Sequence, residues 1–286
     1  ARPLTWKDLS SIGAWPLVGY RGHEVGRIRR DPGRKDHGEA SEERGQEVIG
    51  VGMSENARLQ LNARRFDSTG QDIRFSWQGR PYQARLELMG GFQAENILLA
   101  AGLCIASGSV PGDVFATFPE LRTVRGRMQL AATRENGASV FVDYAHTPDA
   151  VSTALQALRP HVMGQLSVVV GAGGDRDKTK RPLMGAAAAE HADRVIITDD
   201  NPRSEDPASI RAAVLAGAVG QGGAEVIEVG YRAEAILRAI DGLSAGDALL
   251  IAGKGHESGQ IIGDSVLPFD DVEQASVAVA ALEGRI

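Results

Sequence analysis

The sequence predicts an α/β protein whose larger part is a doubly wound parallel sheet. From residue 139 onward, short apolar runs alternate with stretches of helical pattern, and strands alternating with helices of this length imply a parallel sheet with crossover helices. Three of the runs, 166–170, 194–198 and 248–252, lead directly into loops that mix glycine with both charge signs. These loops are Gly171-Ala-Gly-Gly-Asp-Arg-Asp-Lys178, Asp199-Asp-Asn-Pro-Arg-Ser-Glu-Asp206 and Gly253-Lys-Gly-His-Glu257. Loops after the strands of an open parallel sheet gather at one edge, where ligands bind.

In order, 140–142 reads as the core of a strand, 148–158 as a helix and 166–170 as a strand. A helix at about 182–191 leads to the strand 194–198. Pro207 then sits where a first helical turn tolerates it, with Asp206 as N-cap and a helix running to about residue 219. The segments 225–229, 233–240, 248–252 and 272–282 continue the alternation as strand, helix, strand and helix. The region 46–121 is less regular. It offers a strand at 47–51, a hairpin of 73–77 and 82–88 around Gln78-Gly-Arg-Pro81, an apolar helix to about residue 107, a short helix at 111–118 and a connection at 122–127. Residues 1–40 show neither periodicity, and two readings stand: a basic arm that docks on something acidic, or a poorly ordered terminal stretch.

Composition narrows the class. A chain of 286 residues is long enough for two domains, each with a core. The net charge of −6 argues against a general nucleic-acid binder. The single cysteine, Cys104, excludes an intramolecular disulfide and lies in an apolar run, as a small buried hydrophobe would. No apolar stretch approaches the roughly 20 residues that span a bilayer, and the N-terminus has no uninterrupted apolar region of a secretory signal. The expectation is a cytoplasmic protein without membrane insertion or nucleic-acid partner, and a monomer.

Glycine lets backbone approach a ligand, and Arg, Lys, Asp, Asn and Glu supply both charge signs. Such a site suits a ligand that also carries both, such as an amino acid, or a nucleotide with its metal. Two phosphate-binding patterns fail. Gly253-Lys254-Gly255 lacks a following Ser or Thr and the earlier glycine of a phosphate loop, and Arg176 occupies the last glycine position of a dinucleotide fingerprint. Taken alone, the 175–177 loop reads equally as solvated surface, Asp206 as a helix cap, and His146 as a structural hydrogen-bonding residue.

Five motifs in order resemble the Mur ligases over about residues 45–286: Gly126-Arg-Met-Gln129, Val142-Asp-Tyr-Ala-His-Thr-Pro-Asp149, Gly173-Gly-Asp-Arg-Asp-Lys-Thr-Lys-Arg-Pro-Leu-Met-Gly185, Asp200-Asn-Pro-Arg-Ser-Glu-Asp-Pro207 and Ala252-Gly-Lys-Gly-His-Glu257. Within that family the Asp-Asn-Pro-Arg motif accompanies the members that add meso-diaminopimelate. The resemblance implies a truncated central ATPase-type domain over 1–121 and a Rossmann-like, doubly wound C-terminal domain over 122–286. It implies ATP and Mg2+ as cofactors, with UDP-N-acetylmuramoyl-dipeptide and meso-diaminopimelate as substrates. The D-glutamate carboxylate is phosphorylated, and the amine of diaminopimelate attacks the acyl phosphate.

By the same resemblance Arg176, Asp200, Asn201, Arg203, Gly253 and Glu257 match diaminopimelate contacts, and Arg127, Asp143 and His146 match residues around ATP, with Asp143 near the ribose. Asn96 matches an asparagine that opens a helix near the adenine, and Gln93 stands where many relatives have another asparagine. The side-chain chemistry agrees: a guanidinium such as Arg203 or Arg176 takes a carboxylate with two parallel hydrogen bonds, and Glu257 can hold the distal ammonium.

No Gly-x-x-x-x-Gly-Lys-Ser/Thr occurs anywhere in the chain, and the family's uridine-nucleotide domain and carbamylated lysine have no counterpart. Up to His37 the chain carries Arg2, Lys7, Arg21, Arg27, Arg29, Arg30, Arg34 and Lys35 against Asp8, Glu24, Asp31 and Asp36. This basic stretch joins an acidic remainder abruptly, as mis-started or out-of-frame translation would; sequencing the source gene tests that reading. The expectation is a C-terminal fragment, inactive alone. Alternatives are the lysine-adding ligase and a non-catalytic amino-acid-binding module.

Overall fold

A computed structural model describes residues 28–30 and 49–286; the readings made for the rest of 1–48, including the basic arm, lie outside the described residues. The chain forms two compact units, Ala1–Val124 and Arg125–Ile286.

The first unit is built on a five-stranded sheet in sequence order, β1 (Ile28–Arg30), β2 (Ile49–Gly52), β3 (Leu59–Asp67), β4 (Gly70–Trp77) and β5 (Arg80–Leu86). β1, β2 and β3 pair parallel, and β3, β4 and β5 antiparallel. The expected hairpin is present: Gln78 and Gly79 turn it with φ of 50° and 80°, the left-handed geometry that matches strand twist in a two-residue loop. β3 went unread in the sequence because its exposed half is polar and a bulge at Asn62 interrupts its alternation.

Helix α1 (Gly91–Ala106) lays Ala94, Ile97, Leu98, Ala101 and Cys104 on Ile49, Val51, Leu59, Leu61, Ile73, Phe75 and Leu86. Cys104 is thus the small core hydrophobe expected. Asn96 stands half-buried in the second turn of this helix, which starts at Gly91. The short α2 (Pro111–Ala116) and a following 3-10 turn (Phe118–Glu120) add Phe115 and Phe118 to Phe75 in one aromatic cluster.

The second unit carries β6 (Gln129–Thr133), β7 (Ser139–Asp143), β8 (Leu166–Val170), β9 (Arg194–Ile197), β10 (Glu225–Glu228) and β11 (Ala248–Ala252) in the spatial order β10-β9-β8-β11-β7-β6. All pairs are parallel except β6 with β7. The helices are α3 (Pro148–Leu158), α4 (Lys180–His191), α5 (Pro207–Ala218), α6 (Arg232–Asp241) and α7 (Asp271–Leu282). Strand order reverses at β11: the chain runs outward through β8, β9 and β10, then returns to lie between β8 and β7. That reversal makes the sheet doubly wound, with α6 and α7 packing Ala235, Ile236, Ala239, Ala275 and Val279 on Val140, Val142, Val169, Ile196, Leu249 and Ile251. β8 and β11 are buried along their whole length, as central parallel strands are.

Asp206 caps α5 as expected, accepting from Ala208 and Ser209 N–H at 3.3 and 3.1 Å. A hairpin of β12 (Gly259–Ile262) and β13 (Ser265–Pro268), not read from the sequence, follows the 253–257 loop. α4 and α5 touch backbone to backbone where Gly185 faces Val214 O and Gly217 faces Pro182 O. A Cβ at Gly217 would overlap that carbonyl, so Gly217→Ala should destabilise the unit by about 1–3 kcal/mol, read as a shifted midpoint in urea unfolding followed by circular dichroism.

Candidate functional site

The three glycine- and charge-rich loops lie together at the C-terminal ends of β8, β9 and β11, and the end of β7 joins them. Backbone close approach holds them. Gly174 N–H donates to Asn201 O at 2.9 Å, Gly253 N–H to Asp143 O at 3.1 Å, and Arg203 N–H to Ile261 O at 3.0 Å. A Cβ at Gly174 would strike Pro202 O, so glycine there lets the first two loops meet.

Asn201 is the hub. Buried to 4 % exposure, it accepts at Oδ1 from Lys254 Nζ at 2.8 Å and Ile261 N–H at 3.0 Å, and donates through Nδ2 to Glu257 Oε2 at 3.0 Å. Glu257 is half-buried. Asp200 lies beside Gly253, where φ is 114° and an added Cβ would come within 2.7 Å of Asp200 Oδ2. Arg203 adopts a left-handed φ of 52° that turns its guanidinium back over the first loop, where Nη1 donates to Gly174 O at 2.8 Å. Gly173 separates the Arg203 guanidinium from the stem of exposed Arg176; a Cβ there would come within 2.9 Å of the first and 3.7 Å of the second. Two guanidiniums and two carboxylates thus share one rim.

Glu205 locks that rim. Arg181 binds both its oxygens at 3.0 and 2.8 Å, Lys178 approaches to 3.1 Å, and it accepts from Asp175 N–H at 2.7 Å. The Arg181 guanidinium, with help from the Asp175 amide and Lys178, holds the Glu205 carboxyl at about 2, below its ordinary 4.5. A depressed folded-state pKa contributes stability above the unfolded value, and that stability is lost as pH falls from about 4.5 through 2. Glu205→Gln should therefore flatten this limb of the acid-unfolding curve relative to the parent, measured by circular dichroism between pH 5 and 2.

The second group surrounds Tyr144. Asp143 ends β7, and its Oδ2 accepts from Met128 N–H at 2.7 Å. Burial pushes its carboxyl above the usual range, while the Met128 amide and nearby Arg127 work against that rise. Arg127 stacks on the Tyr144 ring at 4.8 Å, and the rings of His146 and His256 lie 4.4 and 5.1 Å from it. His146 Nδ1 is 2.7 Å from Tyr144 O; a carbonyl only accepts, so Nδ1 carries the proton and Nε2 faces outward. Gly126 and Gly255 meet with no room for a Cβ, which keeps the 126–128 turn against the 253–257 loop.

These residues fit part of a nucleotide: a half-buried carboxylate for hydroxyl groups, and a cation held by an aromatic face for phosphate charge. Among the described residues no three His, Cys, Asp or Glu side chains gather as metal ligands.

Residues 126–255 match the family described as Mur ligase, glutamate ligase domain. The second unit is a Mur ligase C-terminal domain. A UDP-N-acetylmuramoyl-L-alanyl-D-glutamate–2,6-diaminopimelate ligase of Bradyrhizobium diazoefficiens is 50 % identical over 246 residues, covering 85 % of this chain and 50 % of its own length. The enzyme of that name from Zymomonas mobilis is 52 % identical over 242 residues, 83 % of this chain and 49 % of its own. A solved structure of that ligase superposes with a TM-score of 0.66 at 35 % identity, over 83 % of this chain and 48 % of the other. A folylpolyglutamate synthase of Mycobacterium tuberculosis shares the fold at 22 % identity and a TM-score of 0.56, covering 86 % of this chain and 51 % of its own. The chain spans about half the length of the curated relatives it matches.

Within this Mur ligase domain, Asp200, Asn201, Arg203, Gly253 and Glu257 come together on one rim with Arg176 at its edge, and Arg127, Asp143 and His146 form the second group. Asn96 belongs to the first unit. Lys254, weighed in the sequence only as a failed phosphate loop, is instead a fully buried cation bonded to Asn201. Arg232 and Asp271, at the starts of α6 and α7, also went unread; only the fold makes them partners.

Proposed function

We propose that the chain supplies the C-terminal part of an ATP-dependent ligase that joins meso-diaminopimelate to UDP-N-acetylmuramoyl-L-alanyl-D-glutamate. The observation that carries this reading is the rim where the Arg203 guanidinium and the half-buried Glu257 carboxylate each contact Asn201. The names of the relatives and the Asp200-Asn-Pro-Arg203 motif support the same substrate. Diaminopimelate has two amino-acid ends, so one must be held while the other reacts. Arg203, with Arg176 beside it, takes the distal carboxylate; Glu257 takes the distal ammonium; Asp200 and Gly253 shape the wall between them. L-Lysine lacks the distal carboxylate and would leave a guanidinium unmatched.

ATP, in this reading, converts the D-glutamate carboxylate to an acyl phosphate; the incoming amine then forms the amide bond as phosphate leaves and the amine loses a proton. Asp143 receives the ribose, Arg127 meets phosphate charge, and His146 presents Nε2 from the same side. We read the first unit by itself as the truncated central ATP-binding domain of the family, with Asn96 as its candidate nucleotide contact. The setting is the cytoplasm; among the described residues no helix is long and apolar enough to cross a membrane.

Titration calorimetry of the 286-residue chain should show meso-diaminopimelate binding and L-lysine binding more weakly. Equal affinity for the two refutes the assignment. The same chain with ATP, magnesium, the nucleotide dipeptide and diaminopimelate should release no phosphate above background, because no Gly-Lys-Ser/Thr loop in its sequence cradles the β- and γ-phosphates. Turnover at ordinary ligase rates overturns that expectation, and diaminopimelate binding by a fold that never acts as part of a ligase would favour a binding module.

A further inference from the structure

Lys254 follows β11, and its side chain is fully buried. Its ammonium donates to Asn201 Oδ1 and to Gly259 O, each at 2.8 Å, and lies 3.7 Å from Glu257 Oε2. A buried ammonium is costly where an apolar side chain of similar volume would pack, so its neighbours define its use. Lys254 Nζ and Ile261 N–H are both donors only, and both point at one atom of Asn201. That atom must be the amide oxygen, which turns Nδ2 toward Glu257 Oε2. Glu257 is thereby held by one oxygen, and its Oε1 takes none of these bonds.

Lys254, Arg203 and Arg176 are positive, Asp200 and Glu257 negative, and the neighbouring Arg232–Asp271 pair cancels itself, so the rim carries one net positive charge. A net positive rim suits an end group that brings a carboxylate beside its ammonium and disfavours a lone ammonium. Without the Lys254 charge that bias against a lone ammonium is lost. Burial lowers the Lys254 pKa, while the Asp200 and Glu257 carboxylates work to keep it charged.

We propose that Lys254 is a positioning residue that sets amino-acid specificity: it orients Asn201 and Glu257 and, by its charge, makes the rim favour a zwitterionic end group over a lone ammonium. This rests on the reading that the rim binds the amino-acid substrate. Lys254 touches no substrate in this scheme; it acts through Asn201, Glu257 and the local field.

The test is the ratio of meso-diaminopimelate to L-lysine affinity, measured by titration calorimetry on the full chain and three variants. Lys254→Met keeps the volume and removes the charge, Lys254→Gln removes the charge and keeps a donor, and Lys254→Arg keeps the charge. In the two neutral variants the ratio should fall roughly tenfold or more, with L-lysine binding unchanged or tighter, because one removed charge near a protein surface acts on this scale. Lys254→Arg should restore the parent ratio. A purely structural role would weaken both ligands together and leave the ratio intact, and that outcome overturns the proposal. A parent chain that does not discriminate defeats the substrate reading instead, so the two failures are distinguishable. Should both neutral variants unfold, nitrogen-15 NMR of the parent decides: a charged Lys254 ammonium whose signal shifts on saturation with meso-diaminopimelate supports the role, and a neutral amine or an indifferent signal overturns it.

Discussion

Arg232→Ala should lower the unfolding free energy by about 3–5 kcal/mol, the range for removing one partner of a buried ion pair. Arg232 and Asp271 side chains are both 0 % exposed. Nε and Nη2 bind the two Asp271 oxygens at 2.8 and 2.7 Å, and Nη2 also donates to Ala252 O at 2.9 Å. The pair therefore ties the starts of α6 and α7 to the end of β11, immediately before the Gly253 loop. Alanine would strand a buried carboxylate and an unpaired carbonyl together. Urea unfolding monitored by circular dichroism measures the loss. The double variant Arg232→Met with Asp271→Leu should lose much less than the single alanine, because no uncompensated charge remains. A single variant within about 1 kcal/mol of the parent, as for an exposed salt bridge, would show that water reaches the pair.

Arg203→Ala should weaken meso-diaminopimelate binding by about 1.5–3 kcal/mol, the worth of a hydrogen bond to a charged group, and leave L-lysine binding nearly unchanged. In the structure Arg203 spends only Nη1 on Gly174 O and Asn201 O, so Nε and Nη2 stand ready for an incoming carboxylate. The backbone needs separate control, because Arg203 sits at φ 52°, where alanine is strained and asparagine is tolerated. Arg203→Asn should lose the same selectivity without that strain. Calorimetry with both ligands on both variants reads the effect. Retained preference for diaminopimelate in both would move carboxylate recognition from Arg203 to Arg176.

The alternation of strand and helix from residue 139 was legible because it is local. A five-residue apolar run such as Leu166–Val170, a proline behind a capping aspartate as at Asp206-Pro207, and a glycine-rich loop after a strand each declare themselves within a few neighbours. That the loops bearing Asp200, Asn201, Arg203 and Glu257 meet was legible because they end strands that any parallel sheet brings to one edge, while the residues themselves were singled out by resemblance. Bulged or fully exposed strands were not. β3 and β6 each carry a bulge, and every residue of β13 is exposed.

Through-space facts were not legible either. Nothing near Lys254 in the chain marks it as buried; it is buried because β11 returns to the centre of the sheet and the β12–β13 hairpin folds back over the loop. Arg232 and Asp271 are joined only once α6 and α7 lie side by side on one face. The sequence by itself determined which elements form and which loops bear charge, since propensity, period and capping act over a few residues. Tertiary structure alone decided which charges are buried and what each one faces, because burial and pairing depend on strand order, and strand order is set by packing between residues far apart in the chain.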